Sequence, residues 1–373
     1  MNSKIIVNNL MTFIPDGDGG NSSMPCLLDK AFQYVVLPTF YSISFIFGLA
    51  GNLLALGFFC SSRMRPWNAI TIYLFNLALA DLLYITTLPF LISYYINQTD
   101  WPFGEALCRI SRFVFHLNLY GSILFLTCIS MHRYAGVVHP LRALGRLHRR
   151  HAIVISFCVW FYVTILLLPS VVFSDTGRNK SNGMTCYDTA PRDTLTAYQT
   201  YNTVLTVLGF GLPFLVTLVC YGCVVRALRK RVRRRGASLR SRSLWLVAVV
   251  LVSFSLCFLP YHIMRSLNIW SRLHLGLKPS TCSISRTIYA TYQVTRGMAS
   301  INSCLDPVLY FLAGDAFRRQ VRWTTRRNET SGNETIRSPL TLQSISNETA
   351  TAKPLAACPL NYMQGGRESG LRT

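Results

Sequence analysis

The chain has 373 residues, of which 51% are hydrophobic and 14% charged, and a formal net charge of +22. It is too apolar for an ordinary soluble domain and too long for one membrane span, so it reads as a multi-pass membrane protein. A nucleic-acid binder would spread that charge over a surface; here Lys and Arg crowd into short segments between apolar runs, most densely at residues 226–242, where nine are basic.

Asparagines interrupt the apolar patch in the first residues and no small-residue cleavage site follows, so no cleavable signal peptide is predicted. Seven apolar segments come next, at residues 34–60, 69–96, 106–134, 150–173, 197–228, 242–270 and 286–312, each long enough to span. Six stand on hydropathy alone. The seventh contains Gln293, Arg296, Asn302 and Asp306, and rests on its motif and on parity. In the third, Arg112 and Arg133 lie about 32 Å apart along a helix, close to the hydrocarbon thickness of a bilayer, which puts one arginine near each face.

The loops set the orientation. Arg63 and Arg65, then Arg142, Arg146, Arg149 and Arg150, the 226–242 loop, and Arg318, Arg319 and Arg322 all fall on one side. The positive-inside bias makes that side cytoplasmic, with the N-terminus outside. Glycosylation sequons at Asn21, Asn97 and Asn179 lie on the predicted outer side, while three more at Asn328, Asn333 and Asn347 lie in the inner tail, so the motif also arises here by chance. Seven of the twelve cysteines fall within spans as small buried apolar residues, and Cys358 is in the tail. Cys26, Cys108, Cys186 and Cys282 remain on the oxidising side, enough for two disulfides, and spacing alone leaves three connectivities open.

One motif falls on each span: Gly51-Asn52; Leu77 to Asp81; Cys108 with His132-Arg133-Tyr134; Pro169; Pro213 with Tyr221; Phe254, Cys257, Phe258 and Pro260; and Asp306-Pro307 with Tyr310. In this order they resemble the rhodopsin-like class of G-protein-coupled receptors. Two departures narrow the resemblance: His132 stands where an Asp is usual and Asp306 where an Asn is usual. Together with Trp101 to Gly104, Asn118 to Cys128, Tyr187 to Thr189, Pro260 to Arg265 and Tyr292 to Arg296, they make residues 26–322 similar to the metabotropic purinergic nucleotide receptors. That resemblance implies an all-α, seven-transmembrane helix bundle with an extracellular N-terminus (1–33), a receptor domain (34–312), a short amphipathic surface helix (313–323) and a disordered cytoplasmic tail (324–373). It also implies a plasma-membrane protein, disulfides Cys108–Cys186 and Cys26–Cys282, an extracellular adenine or uracil nucleotide as ligand, and a Gq-type G protein acting through phospholipase C and calcium.

The residues agree on the ligand end. Arg112, Arg265 and Arg296 lie within spans, where a charge is expensive and normally functional. Arg112, His116 and Tyr120 share one helical face, as do His262 with Arg265 and Gln293 with Arg296. Snorkelling or pairing with Glu105, Asp188 or Asp193 would account for a single arginine, but several guanidiniums with little acid call for a phosphate or carboxylate ligand. The predicted ligand set is therefore Arg112, His116, Tyr120, Asp188, His262, Arg265, Tyr289, Tyr292, Gln293 and Arg296, with the aromatics facing base or ribose.

A second polar set, Asn52, Asp81, Ser122, Asn302, Ser303 and Asp306, lies at mid-membrane. A hydrogen-bonded network with one protonated carboxylate would satisfy it, while the resemblance implies an allosteric sodium ion, with no other cofactor. His132, Arg133, Tyr134, Tyr221, Phe258, Pro260, Asp306, Pro307 and Tyr310 resemble the microswitches through which such receptors open to a G protein, with a bend at Pro260 where a backbone donor is missing. The 226–242 loop suits topology and lipid contact, and the Ser/Thr-rich tail suits phosphorylation by receptor kinases and arrestin binding. A peptide or lipid-mediator receptor is the nearest alternative. A transporter or channel would show interrupted segments paired between halves, and none is seen. No nucleophile, base and oxyanion arrangement supports an enzyme, and no nucleic-acid polymer is expected as partner.

Overall fold

The computed structural model describes residues 31–60, 67–140, 148–174, 176–178, 184–190, 192–231, 245, 247–275 and 279–313. Six helices among them are long and apolar enough to cross a membrane: α1 (Gln33–Cys60), α2 (Ala69–Ile96), α3 (Gly104–Val138), α4 (Arg149–Phe173), α5 (Leu195–Arg229) and α6 (Val247–His274). The seventh, α7, is made of Cys282–Ser300 and Asn302–Ala313, and its polar residues keep it below that hydropathy. The predicted segments match these bounds within a few residues. The chain is a seven-transmembrane helix bundle.

Side chains that a soluble protein would hide, such as Leu54, Phe157, Phe161, Leu215 and Leu256, are exposed on the outside, as a hydrocarbon-facing surface requires. α3 is the axis of the bundle, packed against α2, α4 and α5, and polar side chains on it can therefore meet any of several neighbours.

The breaks in the helices have readable causes. Asn68 caps α2, its Oδ1 accepting from the Thr71 amide at 2.8 Å. Within α2 the helix is interrupted at Thr86-Thr87 ahead of Pro89, and the two threonine hydroxyls take the carbonyls of Leu83 and Tyr84 at 2.7 Å each. Pro213 and Pro260 have no N–H for the preceding turn, and each is preceded by a widened π turn, Leu205–Gly211 in α5 and Ser253–Phe258 in α6. The widened turn in α6 precedes Pro260, the position at which the sequence predicts a hinge. α7 is interrupted at Ile301.

One end of the bundle is stitched by a disulfide. A short antiparallel pair, β1 (Thr176–Arg178) and β2 (Met184–Cys186), leads to Cys186, which is bonded to Cys108 on α3. Cys282 is also disulfide-bonded, while its predicted partner, Cys26, lies outside the described residues. So do Asn21, Asn179, the amphipathic segment 314–323, the tail and most of the 226–242 loop. Asn97 is exposed at the end of α2.

Candidate functional site

Trp101 and the disulfide fix the geometry of this end. Buried Trp101 donates its Nε1–H to the Gly104 carbonyl at 2.7 Å, and its amide donates to the Met184 carbonyl at 2.7 Å. Gly104 opens α3 at φ +80°, a conformation that favours glycine. Arg112 lies four residues after Cys108, one turn deeper on α3, and Asp188 lies two residues after Cys186. The disulfide therefore places the carboxylate over the arginine.

Three arginines meet here, all at most 3% exposed. Asp188 lies between two of them, with Arg296 Nη1 at 3.0 Å and Arg112 Nη1 at 3.4 Å, and it accepts from the Tyr292 hydroxyl at 2.8 Å. Arg112 also donates to the Cys186 carbonyl at 3.0 Å and Arg296 to the Tyr95 hydroxyl at 2.9 Å. Burial alone would raise the Asp188 carboxyl, but Arg296, then Arg112, and the Tyr292 hydroxyl hold it well below the usual carboxylate range.

Arg265 has no carboxylate among the described residues. It donates to the Tyr198 hydroxyl at 2.8 Å and the Tyr261 hydroxyl at 3.4 Å. Tyr261 in turn meets His116 Nε2 at 3.4 Å, while His116 Nδ1 lies 2.8 Å from the Arg112 carbonyl. A carbonyl only accepts, so Nδ1 carries the proton, and in the neutral ring Nε2 is left to accept from Tyr261. Three guanidiniums thus face one carboxylate among the described residues, and the site keeps an excess of positive charge.

The other predicted ligand residues are placed unevenly. Gln293 is buried, with Arg296 Nη1 at 3.5 Å from its Oε1. His262 stacks on Phe210 at 4.4 Å between ring centroids, and neither ring nitrogen has a hydrogen-bond partner among the described residues. Tyr120 lies between His116 and His262. Tyr289 lies on the α1 side of the site: its hydroxyl donates to Gln33 on α1 at 2.8 Å and is also hydrogen-bonded with Gln293. Tyr95, Tyr198 and Tyr261, which hold the guanidiniums, are absent from the predicted set because which tyrosine meets an arginine depends on how the helices pack, and spacing along one helix does not show it. Arg272 at the end of α6 touches the Thr189 hydroxyl and the Ala190 carbonyl, tying the same loop segment to a third helix.

The mid-membrane set also forms, with changes. Asp81 accepts from Asn118 at 2.8 Å and Ser303 at 2.9 Å on Oδ1, and the Tyr310 hydroxyl lies 3.4 Å from Oδ2. Tyr310 donates to Asn52 Oδ1 at 2.8 Å, and Asn302 to Asp306 Oδ2 at 3.0 Å. Asn118, which the predicted set omits, completes the cluster. Ser122, which it includes, makes no hydrogen bond to Asp81: its hydroxyl has no partner among the described residues, nor does Asn302 Oδ1, whereas Asp306 meets Asp81 carboxyl to carboxyl. Because Asp306 belongs to both sets and Tyr310 of the microswitch set bonds to Asn52 and Asp81, that part of the microswitch set joins the ion set in one network.

At the opposite end, His132 and Arg133 are half-buried and the Tyr134 hydroxyl lies 3.2 Å from His139 Nε2. Tyr221 is buried. Phe258, just before Pro260, packs edge-on to Phe254, which stacks on Phe214.

Residues 51–310 match the family described as 7 transmembrane receptor (rhodopsin family). The chain belongs to that family and is a signalling receptor, not an enzyme. The purinoceptor 1 of Meleagris gallopavo is 48% identical to it over 320 residues, covering 86% of this chain and 88% of that receptor. The purinoceptor 1 of Homo sapiens is 49% identical over 308 residues, 82% of each, and the purinoceptor 4 of Xenopus laevis is 44% identical over 312 residues, 83% of this chain and 57% of that one. Within the rhodopsin class, the chain is a member of the purinoceptor family.

Proposed function

We propose that the chain is a plasma-membrane receptor for an extracellular nucleotide, an adenine or uracil di- or triphosphate, coupled through a Gq-type G protein to phospholipase C and calcium. The charge balance at the disulfide end carries this reading: three buried guanidiniums against the single carboxylate of Asp188 among the described residues. Each guanidinium presents a planar fork of donors that matches phosphate oxygens. A phosphate reaching Arg112 and Arg296 competes with Asp188 for their donors, while Arg265 has only phenol hydroxyls to give up. Gln293, His116, His262, Tyr120 and Tyr292 complete the pocket around base and ribose, and the purinoceptor names of the relatives support that ligand class.

The positive-inside bias of the basic loops supports an N-terminus outside and a tail in the cytoplasm. The His132–Tyr134 end then faces the G protein, with kinases and arrestin acting on the tail. The mid-membrane set suits a sodium ion, since Ser122 Oγ and Asn302 Oδ1 are buried hard oxygens without a hydrogen-bond partner among the described residues and the carboxyls of Asp81 and Asp306 face each other beside them. Asp81, Asp306, Asn302 and Ser122 would hold it, and its charge would offset the two carboxylates.

The experiment is a panel of nucleotides, peptides and lipid mediators applied to cells expressing the chain, with calcium and cyclic AMP recorded and apyrase as control. An apyrase-sensitive calcium response to nucleotides is expected. A response to peptides or lipids alone overturns the ligand reading, and a cyclic AMP response without calcium overturns the Gq assignment.

A further inference from the structure

Between the arginine cluster and Asp81, two irregular backbone turns face each other. α7 is interrupted at Ile301, and α1 runs through a wide turn at Ser44–Gly48. They lie in contact: Asn52 Nδ2 donates to the carbonyls of Gly48 at 2.9 Å and Ser303 at 3.0 Å, and a Cβ added to Gly48 would lie 3.5 Å from the Ser303 carbonyl.

Just above this contact, three hydroxyls from three helices join in series. Tyr84 on α2 donates to Ser300 on α7 at 2.9 Å, and Ser300 donates to Ser44 on α1 at 2.9 Å. All three are at most 1% exposed. Ser300 is one turn below Arg296 and three residues before Ser303, whose hydroxyl donates to Asp81. At the break itself the backbone bonds are short-range, Ile301 N to Met298 O and Cys304 N to Ile301 O, so the helix ladder does not fix the lower half of α7 relative to the upper. Side chains set that relation instead. Apolar residues of the same shape could fill the space, so what the hydroxyls add is a definite position for the break.

We propose that Tyr84 is a positioning residue which, with Ser300 and Ser44, clasps α7 at its break and passes a displacement of Arg296 to Asp81. Ligand binding at the arginines then reaches the mid-membrane carboxylates through a jointed helix held at its joint. The ligand used to drive the clasp rests on the nucleotide reading above; the clasp itself does not.

The test compares Tyr84→Phe, Ser300→Ala, Ser300→Thr and the double variant Tyr84→Phe/Ser300→Ala in cells, at matched surface expression. Binding of radiolabelled adenosine diphosphate is measured alongside the maximal calcium response. Loss of one hydroxyl bond is expected to lower the maximal response about fivefold while the binding constant changes by about twofold or less. Ser300→Thr, which keeps the hydroxyl, retains the response, and the double variant matches Ser300→Ala, which already removes the one bond lost in Tyr84→Phe together with the bond to Ser44. Unchanged responses, additive losses, or binding lost in step with response overturn the clasp. If the wild type shows no saturable binding of adenosine diphosphate and no displacement of it by uridine or adenosine triphosphate, the nucleotide reading falls; the clasp is then judged on ligand-free signalling, where the same non-additive pattern supports it and an additive or absent effect overturns it.

Discussion

Two polar clusters lie along α3 and α7, one fully buried and one whose buried arginines meet a partly exposed loop carboxylate, and they carry opposite signs. At the disulfide end, Arg112, Arg265 and Arg296 surround Asp188; at mid-membrane, Asp81 and Asp306 are surrounded by Asn52, Asn118, Asn302, Ser303 and Tyr310, with no basic side chain among their hydrogen-bond partners in the described residues. Uncompensated charge in a low-dielectric interior is expensive, so each excess points to what the site takes up: an anion where arginine exceeds aspartate, a cation or proton where aspartate has no basic partner. The contrast also separates two roles. The arginines lie under the Cys186–Ala190 loop segment at the disulfide end, whereas the aspartates are enclosed by helices and tied to Tyr310.

The strongest way to break this comparison is to remove the positive excess. Charge-assisted hydrogen bonds are worth about 1.5–3 kcal/mol, so Arg296→Ala should weaken nucleotide potency about a hundredfold and Arg265→Ala at least about tenfold. Concentration–response curves for calcium at matched surface expression decide it, and two unchanged potencies would remove the phosphate assignment. The arginines should differ in stability as well. Arg296→Ala or Asp188→Asn leaves a buried charge short of its partner and should destabilise the purified receptor by about 3 kcal/mol, whereas Arg265→Ala leaves no carboxylate behind. Thermal unfolding of the singles and of Asp188→Asn/Arg296→Gln tests this, the double variant being expected to recover part of the loss.

The same pair predicts a pH dependence. The Asp188 carboxyl is held below its ordinary range, so its contribution is fully present above the unfolded value of about 4 and is lost only as pH falls below that. The stability gap between wild type and Asp188→Asn should stay constant from about pH 7 to about pH 5 and close under more acid conditions. A gap that closed above about pH 5 would mean that the two arginines do not hold the carboxylate.

The negative cluster is tested by exchanging sodium for a larger cation. Sodium should shift agonist affinity about fivefold or more in the wild type and not at all in Asp81→Asn. Radioligand competition with and without sodium measures both; an insensitive wild type would leave proton sharing between Asp81 and Asp306 as the reading of the site.

How much of this is legible in the sequence depends on chain separation. Helices announce themselves locally, and Gln33–Cys60 or Arg149–Phe173 follow directly from apolar runs and flanking charge. The Asp188 pairing is harder: the residue lies on a loop, 76 positions from Arg112 in the chain, and no periodicity connects them. A signal is nevertheless present, since a Cys108–Cys186 bond carries Asp188 and Arg112 to the same place. The interruption at Thr86-Thr87 is likewise foreshadowed by Pro89. The wide turn at Ser44–Gly48 has no such marker, because Pro38 lies before it and nothing in the run Ser44 to Gly48 departs from ordinary helix chemistry. Asn118 is visible in a motif, but its role depends on which neighbour α3 turns it towards, and that is a property of packing.

The smallest effect gives the finest test of where the positive cluster ends. Tyr289 shares α7 with Gln293 and Arg296 and belongs to the predicted pocket, yet its hydroxyl is engaged by Gln33 on α1. Tyr289→Phe keeps the ring and removes the hydroxyl's bonds to Gln33 and Gln293, so nucleotide potency should change by about threefold or less, and Gln33→Ala should reproduce the part of the change that runs through α1. A larger loss in Tyr289→Phe that Gln33→Ala did not share would mean that the hydroxyl reaches the ligand instead. The anion site would then extend across α7 to the α1 side of the bundle, and the positive excess would have to be counted over a wider pocket than the three arginines and Asp188 define.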